Sequence, residues 1–531
     1  MNGPQDTPEQ RPETAAASPT AGRWAIELEK INKRFGTVHA NKDIDLRIAR
    51  GTIHGIVGEN GAGKSTLMSI LYGFYTADSG TIRVNGEVHA ITDSRHALAL
   101  GIGMVHQHFM LVDNMTVLEN VVLGAEKSAL LNKTLIEARS QLAELAREYG
   151  LDVDPDALIE NISVGQQQRV EILKALFRGA DTLILDEPTG VLTPAEADHL
   201  FRVLETLRAE GKTVILITHK LREIMAITDE VSVMRNGEMI ATLETSETSP
   251  EHLAELMVGR RVLLRVEKGP ASPGKTLLEV ENLSVIDRMG VERVKDVSFS
   301  VRAGEIVGIA GVAGNGQSEL LEAVSGMADP RSGTVRIKGE PIDMRGDGGA
   351  ARARRAGMAH VPEDRHRMGL VTTFQEWENS ILGYETRAEY GKGLMLDIGA
   401  AQAEAQRRIE MFDIRPDNIR LRTANFSGGN QQKIVLAREM DRELEVLVVG
   451  QPTRGVDIGA IEFIHSQIIK MRDAGKAVLL VSVELDEIRS LSDRILVMFD
   501  GRIVGEADPE TASESELGMM MAGAHKREAA Q

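Results

Sequence analysis

The sequence predicts an α/β fold that is built twice, as two tandem domains of one chain. With 531 residues, the chain is longer than one hydrophobic core normally serves. The stretch GTIHGIVGENGAGKSTLMSI from Gly51 has a counterpart, GEIVGIAGVAGNGQSELLEA, from Gly304. In both copies short apolar runs bounded by glycine alternate with helical patterns, which is typical of a mostly parallel sheet covered by helices.

The repeat has a defined register. An offset of 253 pairs Lys64 with Gln317, and further along the chain an offset of 264 pairs Ser163 with Ser427. The second copy has therefore gained 11 residues between these two blocks. Self-similarity on this scale indicates a duplicated domain and predicts that each copy folds in the same way.

The domain boundaries follow from the repeat and from local composition. Residues 1–22 are rich in Pro, Thr, Ala and Gln, lack the pattern of a signal peptide, and predict a disordered tail. We expect domains at 23–262 and 277–531, joined by a linker at 263–276 that contains the Pro- and Gly-bearing run EKGPASPGK, residues 267–275. Residues 132–149 carry a helical pattern and predict part of an inserted helical subdomain.

Bulk composition excludes several classes of protein. The chain has no cysteine, which excludes disulfides and cysteine-based metal sites. Its formal charge of −18 argues against nucleic acid as the main partner. No apolar run approaches the roughly 20 residues needed to span a bilayer. We therefore expect a cytoplasmic protein whose membrane role, if it has one, comes through a partner.

The first copy contains a phosphate-binding loop. Residues 58–65 fit G-x-x-x-x-G-K-[ST] between an apolar run and a helical pattern, which is the context that the motif requires. The backbone N–H groups of such a loop point at phosphates, Lys64 neutralises the β- and γ-phosphates, and Ser65 holds Mg²⁺. The predicted ATP contacts of this loop are Gly58, Glu59, Asn60, Gly61, Ala62, Gly63, Lys64, Ser65 and Thr66.

Further polar residues follow the apolar runs of the first copy. Asp186 and Glu187 end the run TLILDEPTG, and we expect Asp186 beside the metal and Glu187 to polarise the attacking water. His219 follows the run VILIT and is predicted to sense the γ-phosphate, although a lone histidine at a strand end is usually structural. Phe35 is a candidate for stacking on adenine, with simple packing as the alternative.

Together with two signature-like sequences, these motifs resemble the ATP-binding cassette ATPases of membrane transporters. ISVGQQQRV from Ile162 and FSGGNQQKI from Phe426 are similar to the LSGGQ sequence that opens a helix in that family. The resemblance covers everything after residue 22. It implies two P-loop nucleotide-binding domains, each with a RecA-like α/β core, a β-subdomain and a helical subdomain. It also implies that Gln107 contacts metal and water, so the expected metal ligands are Ser65, Gln107 and Asp186, and the expected catalytic residues are Glu187, His219 and Gln107.

In this family the two domains pair head to tail, so each nucleotide contacts the loop of one domain and the signature of the other. The resemblance therefore predicts that the ATP held by the first loop is completed by the second signature, residues Ser427, Gly428, Gly429, Asn430 and Gln431. The other pairing is predicted to be degenerate and to combine Gly311, Gly316, Gln317 and Ser318 with the first signature residues Ser163 and Gly165.

The second copy has lost the chemical groups of the first. Its replacements are Lys64 by Gln317, Asp186 by Gly450, Glu187 by Gln451, His219 by Val483, and Gln107 by Glu363. Ser318 keeps a hydroxyl, which alone holds Mg²⁺ poorly. We therefore expect hydrolysis only at the first loop, and we expect the second copy to be retained for its signature and its pairing surface. Whether nucleotide still binds the second loop is left open.

Fused domains of this size resemble the ATPase subunits of bacterial sugar and nucleoside importers. The stretches VHQHFMLV, VPEDRHRMGLV and QPTRGVDIGAIEFI are most similar to the general nucleoside uptake members. The resemblance implies ATP hydrolysis that drives import, ATP and Mg²⁺ as cofactors, and a location at the cytoplasmic face of the inner membrane. It implies two integral-membrane permease subunits and, through the complex, a solute-binding protein. The unlike loops after Gln107 and Glu363 suggest two unlike permeases or two faces of an asymmetric pair.

Three other functions are weighed against this one. An importer of simple sugars, of the ribose or galactose type, is the close alternative. A soluble tandem ATPase that acts on ribosomes or DNA is disfavoured, because one site is degenerate, cysteine is absent and the charge is acidic. A regulatory scaffold without hydrolysis is disfavoured because the first site is intact.

Overall fold

The computed structural model describes residues 23–106, 109–124, 131–190, 192, 194–261, 268–312, 314–392 and 395–523. The chain forms two compact units that divide between Met257 and Val258. Within the described ranges, no helix combines the length and the apolar character that crossing a membrane would require. The predicted tail at residues 1–22 lies outside these ranges, and the predicted domain boundaries stay predictions.

The first copy forms two sheets. One is antiparallel with strand order β2-β1-β4-β5, and the other has the order β10-β9-β3-β8-β7-β6, with only β10 paired antiparallel. The strands are β1 (Trp24–Phe35), β2 (Val38–Ala49), β3 (Ile53–Gly58), β4 (Ser79–Val84), β5 (Glu87–His89), β6 (Ile102–Val105), β7 (Thr182–Asp186), β8 (Thr213–Ile217), β9 (Glu230–Arg235) and β10 (Glu238–Glu244). The helices are α1 (Lys64–Leu71), α2 (Ser94–Ala99), α3 (Val117–Val122), α4 (Leu131–Tyr149), α5 (Val164–Phe177), α6 (Pro194–Ala209), α7 (Leu221–Ile227) and α8 (Pro250–Val258).

The second copy repeats this plan. Its sheets have the orders β12-β11-β14-β15 and β16-β19-β20-β13-β21-β22, and it adds a two-stranded hairpin, β17-β18. The strands are β11 (Thr276–Ile286), β12 (Glu292–Arg302), β13 (Glu305–Ala310), β14 (Ser332–Ile337), β15 (Glu340–Ile342), β16 (Met358–Val361), β17 (Gly391–Lys392), β18 (Met395–Leu396), β19 (Val446–Gly450), β20 (Ala477–Ser482), β21 (Arg494–Phe499) and β22 (Arg502–Ala507). The helices are α9 (Gln317–Val324), α10 (Gly349–Arg355), α11 (Glu376–Ser380), α12 (Ile398–Met411), α13 (Gly428–Met440), α14 (Ile458–Asp473), α15 (Leu485–Leu491) and α16 (Glu514–Met521).

The central strands explain why both copies fold alike. Every residue of β3 and of β13 is buried, and each strand lies between two parallel neighbours. A strand that is covered by helices on both faces needs a continuous apolar run rather than an alternating one. The apolar runs of the sequence therefore occupy the middle of each sheet, and the predicted α/β class is confirmed.

The helix predicted over 132–149 is α4, which begins at Leu131 and ends at Tyr149. Leu142 is buried, whereas Leu135 and Leu145 are only partly covered. The helix therefore buries a narrow face, as expected for an element outside the sheet core.

Part of the predicted linker is fastened to the second copy. The Lys268 ammonium donates to the backbone carbonyl oxygens of Leu491, at 3.1 Å, and of Ser492, and it lies 3.3 Å from the Asp493 carboxylate. The Arg472 guanidinium donates to the carbonyl oxygen of the residue after Lys268, at 3.0 Å. Lys268 and the residue after it are thus held by contacts within the second unit.

Candidate active site

The phosphate-binding loop of the first copy connects β3 to α1. Gly63, the residue before α1, has φ of 100°, and a Cβ there would lie 2.3 Å from the Ala40 carbonyl oxygen. A Cβ at Gly58 would lie 2.4 Å from the Met234 carbonyl oxygen. Both positions therefore require glycine, because neighbouring backbone leaves no space for a side chain.

Lys64 is buried at the first position of α1. Its ammonium donates to the carbonyl oxygens of Gly58, at 2.7 Å, and of Glu59, at 3.0 Å. Burial lowers the pKa of Lys64, and the nearby carboxylates of Glu187 and Asp186 oppose that shift. The Lys64 ammonium thus lies on the loop itself, where a bound phosphate would contact it.

Asp186 ends β7 and is only 8% exposed. Burial raises the pKa of Asp186, and a hydrogen bond from the Ser65 hydroxyl partly opposes that rise. A desolvated carboxylate beside a hydroxyl is a suitable oxygen donor set for a divalent cation, which would favour the ionised form. Gln107, the third predicted metal ligand, lies outside the described residues.

Across the part of the chain that the structure describes, no group of three or more His, Cys, Asp or Glu residues can hold a metal ion. Among the described residues, Ser65 and Asp186 supply two oxygen donors, so further oxygen ligands would complete the coordination of a metal here. Mg²⁺ commonly binds in this way, through one or two carboxylates together with phosphate oxygens and water. The residues present fit Mg²⁺ in complex with a nucleotide.

Glu187 and His219 form a hydrogen-bonded pair. The Glu187 carboxylate oxygen lies 2.9 Å from His219 Nδ1, and this bond is the main cause that lowers the pKa of Glu187. Glu187 also has φ of 48°, and its backbone N–H donates to the Ile217 carbonyl oxygen at 2.9 Å. The backbone thus holds an ionised carboxylate, the state that a general base needs, beside an imidazole.

Phe35 is 42% exposed at the end of β1. Its ring contacts Tyr75 edge to face, with 5.1 Å between the ring centroids, and the Lys33 ammonium lies 5.6 Å from the Phe35 centroid. Tyr75 was not singled out from the sequence. The pair Phe74–Tyr75, which begins three residues after the end of α1, was the available signal, because two exposed aromatic residues close to a phosphate loop can flank a base.

The described residues of the second loop keep the backbone geometry of the first. Gly316 has φ of 101°, and a Cβ there would lie 2.2 Å from the Arg293 carbonyl oxygen. The Gln317 amide donates to the Val312 carbonyl oxygen at 3.2 Å, which parallels the bond from Lys64 to Glu59. The fold of the loop has been kept, and its positive charge has been lost.

The second copy still has a carboxylate at its loop serine, but from a different element. The Ser318 hydroxyl donates to the Glu363 carboxylate at 2.6 Å. A Cβ at Gly450, the residue in the place of Asp186, would lie 2.6 Å from Glu363 Cγ and 2.6 Å from Leu321 Cδ2. Glu363 thus takes space that a side chain at position 450 would need, and the expectation of a lone Ser318 hydroxyl is corrected.

The remaining positions of the second copy keep the backbone geometry of the first but have lost its acid and histidine side chains. Gln451, in the place of Glu187, has φ of 46°, and its backbone N–H donates to the Val481 carbonyl oxygen at 2.8 Å. The Gln451 side-chain oxygen accepts from the backbone N–H of Val483 at 3.3 Å. Neither side chain there can act as a base or carry a proton at neutral pH.

The two signature turns differ at their second residue. Ser163 caps α5 by accepting from the Gln166 backbone N–H, and Ser427 caps α13 by accepting from the Asn430 backbone N–H at 3.4 Å. The Asn430 side-chain amide also donates to the Ser427 hydroxyl, at 2.9 Å. Val164 follows Ser163 and is 43% exposed. The matching Gly428 lies against backbone, since a Cβ there would be 2.7 Å from the Gly455 carbonyl oxygen.

The third signature residue is a tightly placed glycine in both copies, and the glutamine of the second copy is anchored. A Cβ at Gly165 would lie 2.4 Å from a Glu196 carboxylate oxygen, and one at Gly429 would lie 2.9 Å from an Asp457 carboxylate oxygen. The buried Gln431 amide donates to the carbonyl oxygens of Thr423, at 3.1 Å, and Phe426, at 3.2 Å. These bonds hold the second signature turn against its own domain.

Comparison with known proteins gives the family. The family model described as ABC transporter matches residues 41–190 and 294–454, which is more than half of the chain. Nucleoside import ATP-binding protein NupA of Lactococcus lactis is 47% identical over 96% of this chain and 100% of the relative. Guanosine import ATP-binding protein NupO of Bacillus subtilis is 47% identical over 95% of this chain and 99% of the relative. Glucose import ATP-binding protein TsgD13 of Haloferax volcanii is 44% identical over 94% of this chain and 96% of the relative.

The family model matches once in each copy, and each match begins before the phosphate-binding loop and ends beyond the strand of Asp186 or Gly450. The relatives align over nearly the full chain, so the fused pair of domains is shared with them. The chain therefore belongs to the ABC transporter family, as an ATP-binding ATPase subunit made of two fused nucleotide-binding domains.

Proposed function

We propose that this chain hydrolyses ATP to drive nucleoside import. The observation that carries the proposal is the concentration of the chemical groups in one copy: Lys64 on its loop, Asp186 at Ser65, and Glu187 at His219. Two relatives at 47% identity are named as import proteins for nucleosides or guanosine. A glucose import protein at 44% identity makes sugar import the second candidate.

The residues of the first copy have distinct tasks in this proposal. The loop N–H groups and Lys64 bind the β- and γ-phosphates, and Glu187 accepts a proton from the attacking water. His219 would sense the γ-phosphate, and its 2.9 Å hydrogen bond with Glu187 holds that carboxylate in place. Ser65, Asp186 and Gln107 would hold Mg²⁺, which when bound neutralises charge on the phosphates.

The proposal includes a composite site. The second signature, Ser427 to Gln431, would complete the nucleotide site of the first loop, whereas the second loop would face the first signature. Support comes from the family pairing and from the unequal chemistry of the two copies. One productive ATP site per chain follows, with the second copy contributing its signature.

Partners and location are likewise proposed from the family. ATP-binding import subunits act with membrane permeases, so we propose two permease subunits and a place at the cytoplasmic face of the inner membrane. The permeases carry the solute path, and a solute-binding protein would deliver the nucleoside to them. The loops at Phe109–Leu111 and at Asp364–Leu370 are unlike in sequence, which favours unlike permeases.

Co-purification with the permeases tests the function. The full chain is expressed with its permeases and solute-binding protein, reconstituted in vesicles, and assayed for ATP hydrolysis with guanosine, with ribose and with glucose. Stimulation by guanosine alone supports nucleoside import. Stimulation by a sugar alone overturns it in favour of the second candidate. Lys64→Ala is the control, because it should abolish stimulation by any solute.

A further inference from the structure

The loop that follows β16 in the second copy is longer than its counterpart after β6. Seven residues separate Glu363 from Val371, whereas four separate Gln107 from Val112. The ends of the two loops are equivalent. The Lys174 ammonium donates to the Met110 carbonyl oxygen at 2.7 Å, and the matching Arg438 donates to the Gly369 carbonyl oxygen at 2.8 Å. The three additional residues therefore lie between Glu363 and Gly369.

These residues form a compact π-helical turn, Arg365–Gly369. The Asp364 carboxylate caps the turn by accepting from the backbone N–H groups of His366, at 2.9 Å, and Arg367, at 3.1 Å. Glu363, just before it, accepts from Ser318 of the phosphate loop at 2.6 Å. The turn is thus fixed at its start to the loop of its own domain.

Arg365 extends from this turn to the signature. Its guanidinium donates to the carbonyl oxygens of Arg454, at 2.8 Å, and Gly455, at 3.5 Å. It also lies against Gly428, because a Cβ on Gly428 would be 2.8 Å from the nearest guanidinium nitrogen. The guanidinium therefore contacts both the signature turn and the loop Gln451–Gly455 that follows β19.

His366 adds a second bond between the same elements. Its Nε2 lies 2.7 Å from the side-chain oxygen of Gln431, and the Gln431 amide donates to the carbonyl oxygen of Phe426, next to the cap Ser427. Arg365 and His366 thus contact the signature at its second and its fifth residue. Val164 in the first copy stands where Gly428 allows this approach.

We propose that Arg365 is a positioning residue that fixes the signature turn of the second copy and thereby sets the rate of ATP hydrolysis at the first loop. The inference rests on the proposed function, because it requires the second signature to serve that loop. Arginine suits the task, since its planar fork can bond two carbonyl oxygens while it lies against a glycine, which has no side chain in the way. The loop of the first copy is three residues shorter and has no arginine between Gln107 and Val112.

The test compares Arg365→Ala, Arg365→Lys and the control Arg367→Ala in the full chain with its permeases. Arg367 is an exposed residue of the same turn. We expect Arg365→Ala to lower kcat about 10- to 100-fold, the loss that a misplaced catalytic element causes. ATP affinity should stay near the wild-type value because the first loop is unchanged. Arg365→Lys should recover part of kcat, and Arg367→Ala should match the wild type.

Amide hydrogen exchange gives a readout apart from activity. Exchange at residues 427–431 should be faster in Arg365→Ala than in Arg367→Ala, with the thermal midpoints of the two alike. Unchanged exchange, or equal kcat in Arg365→Ala and wild type, overturns the inference. If Lys64→Ala hydrolyses ATP as wild type does, the proposed function fails as well. If Lys64→Ala is inactive and Arg365→Ala is fully active, only this inference fails.

Discussion

The described residues of the two phosphate-binding loops have similar backbone geometry, but only the first loop carries a cation. Gly63 and Gly316 have φ values of 100° and 101° before helices of equal length. The first loop carries Lys64, whereas the second carries Gln317 and, two residues later, Glu319. The loop shape is therefore set by glycines packed against neighbouring backbone, and it survives the loss of the cation that binds phosphate.

The residues that follow β7 and β19 likewise share a backbone conformation but differ in the chemistry of their side chains. Glu187 and Gln451 have φ values of 48° and 46°, although only the first is an acid. Asn315 additionally ties the second loop to its domain, since its side-chain amide donates to the Met521 carbonyl oxygen at 3.3 Å. The comparison teaches that the backbone geometry of the loop can be kept after its cation is lost.

The largest expected effect comes from replacing the proposed general base of the first copy by the amide that stands at the matching position of the second copy. Glu187→Gln should lower steady-state ATP turnover about 10²- to 10⁴-fold, because an amide cannot accept the proton. ATP should stay bound, which a filter-binding assay with labelled ATP can show. Gln451→Glu is the matched change in the second copy and should leave turnover unaltered. Turnover within threefold of wild type in Glu187→Gln would contradict the assigned role.

The helical subdomains offer a pH-dependent comparison. Glu376 is fully buried at the start of α11, where the first copy has the buried Val117 at the start of α3. Both residues donate their backbone N–H to a carbonyl oxygen at 3.0 Å, that of Leu421 or Ala157.

Burial raises the pKa of Glu376 to about 7 from 4.5. The folded chain therefore keeps this proton where the unfolded chain loses it, and stability is lost as pH rises from about 4.5 through 7.

Glu376→Val should remove this pH dependence. Relative to wild type, its free energy of unfolding should rise by about 3 kcal/mol between pH 4.5 and pH 8, as the pKa difference implies. Urea unfolding at both pH values measures the effect on the second copy. Glu385→Gln, an exposed change nearby in sequence, is the control. Parallel pH profiles for Glu376→Val and wild type would rule out the buried acid as the cause.

A smaller effect is expected beside the loop serine. Its carboxylate neighbour is Asp186 at the end of β7 in the first copy, and Glu363 in the loop after β16 in the second. Gly450→Asp, which restores the residue of the first copy, should destabilise the second copy by about 1–3 kcal/mol, because its Cβ collides with Glu363 and Leu321. Glu363→Gly in the same chain should relieve part of that loss. Denaturant unfolding of the single and double variants gives the coupling free energy between the two positions. If the two changes in unfolding free energy simply add in the double variant, positions 363 and 450 do not compete for space.

The smallest effect is expected from restoring the lysine alone. Gln317→Lys should leave ATP turnover at the wild-type value, because Gly450, Gln451 and Val483 still stand in the places of Asp186, Glu187 and His219. Turnover per chain in the reconstituted complex is the measurement. A doubling would mean that the second loop needs only its cation to hydrolyse ATP.

Sequence patterns predicted the parts of the molecule that depend on neighbouring residues. The loop at 58–65, the buried run of β3 and the acids that end β7 were visible because the phosphate motif, the apolar run and the strand-end acids are contiguous. The helix α4 was predicted to within one residue at its start. The family prediction is confirmed by the double match.

Contacts between distant segments were decided only by the tertiary structure. That Glu363 bonds Ser318 and excludes a side chain at Gly450 depends on how three separate elements meet, and no local pattern records it. The reach of Arg365 to Gly428 is of the same kind. By itself the sequence determined two duplicated domains, one with a full set of chemical groups, because apolar periodicity and motif spacing are local properties. Packing decided how the second copy filled the space left by the lost groups, because close packing relates residues without regard to their separation along the chain.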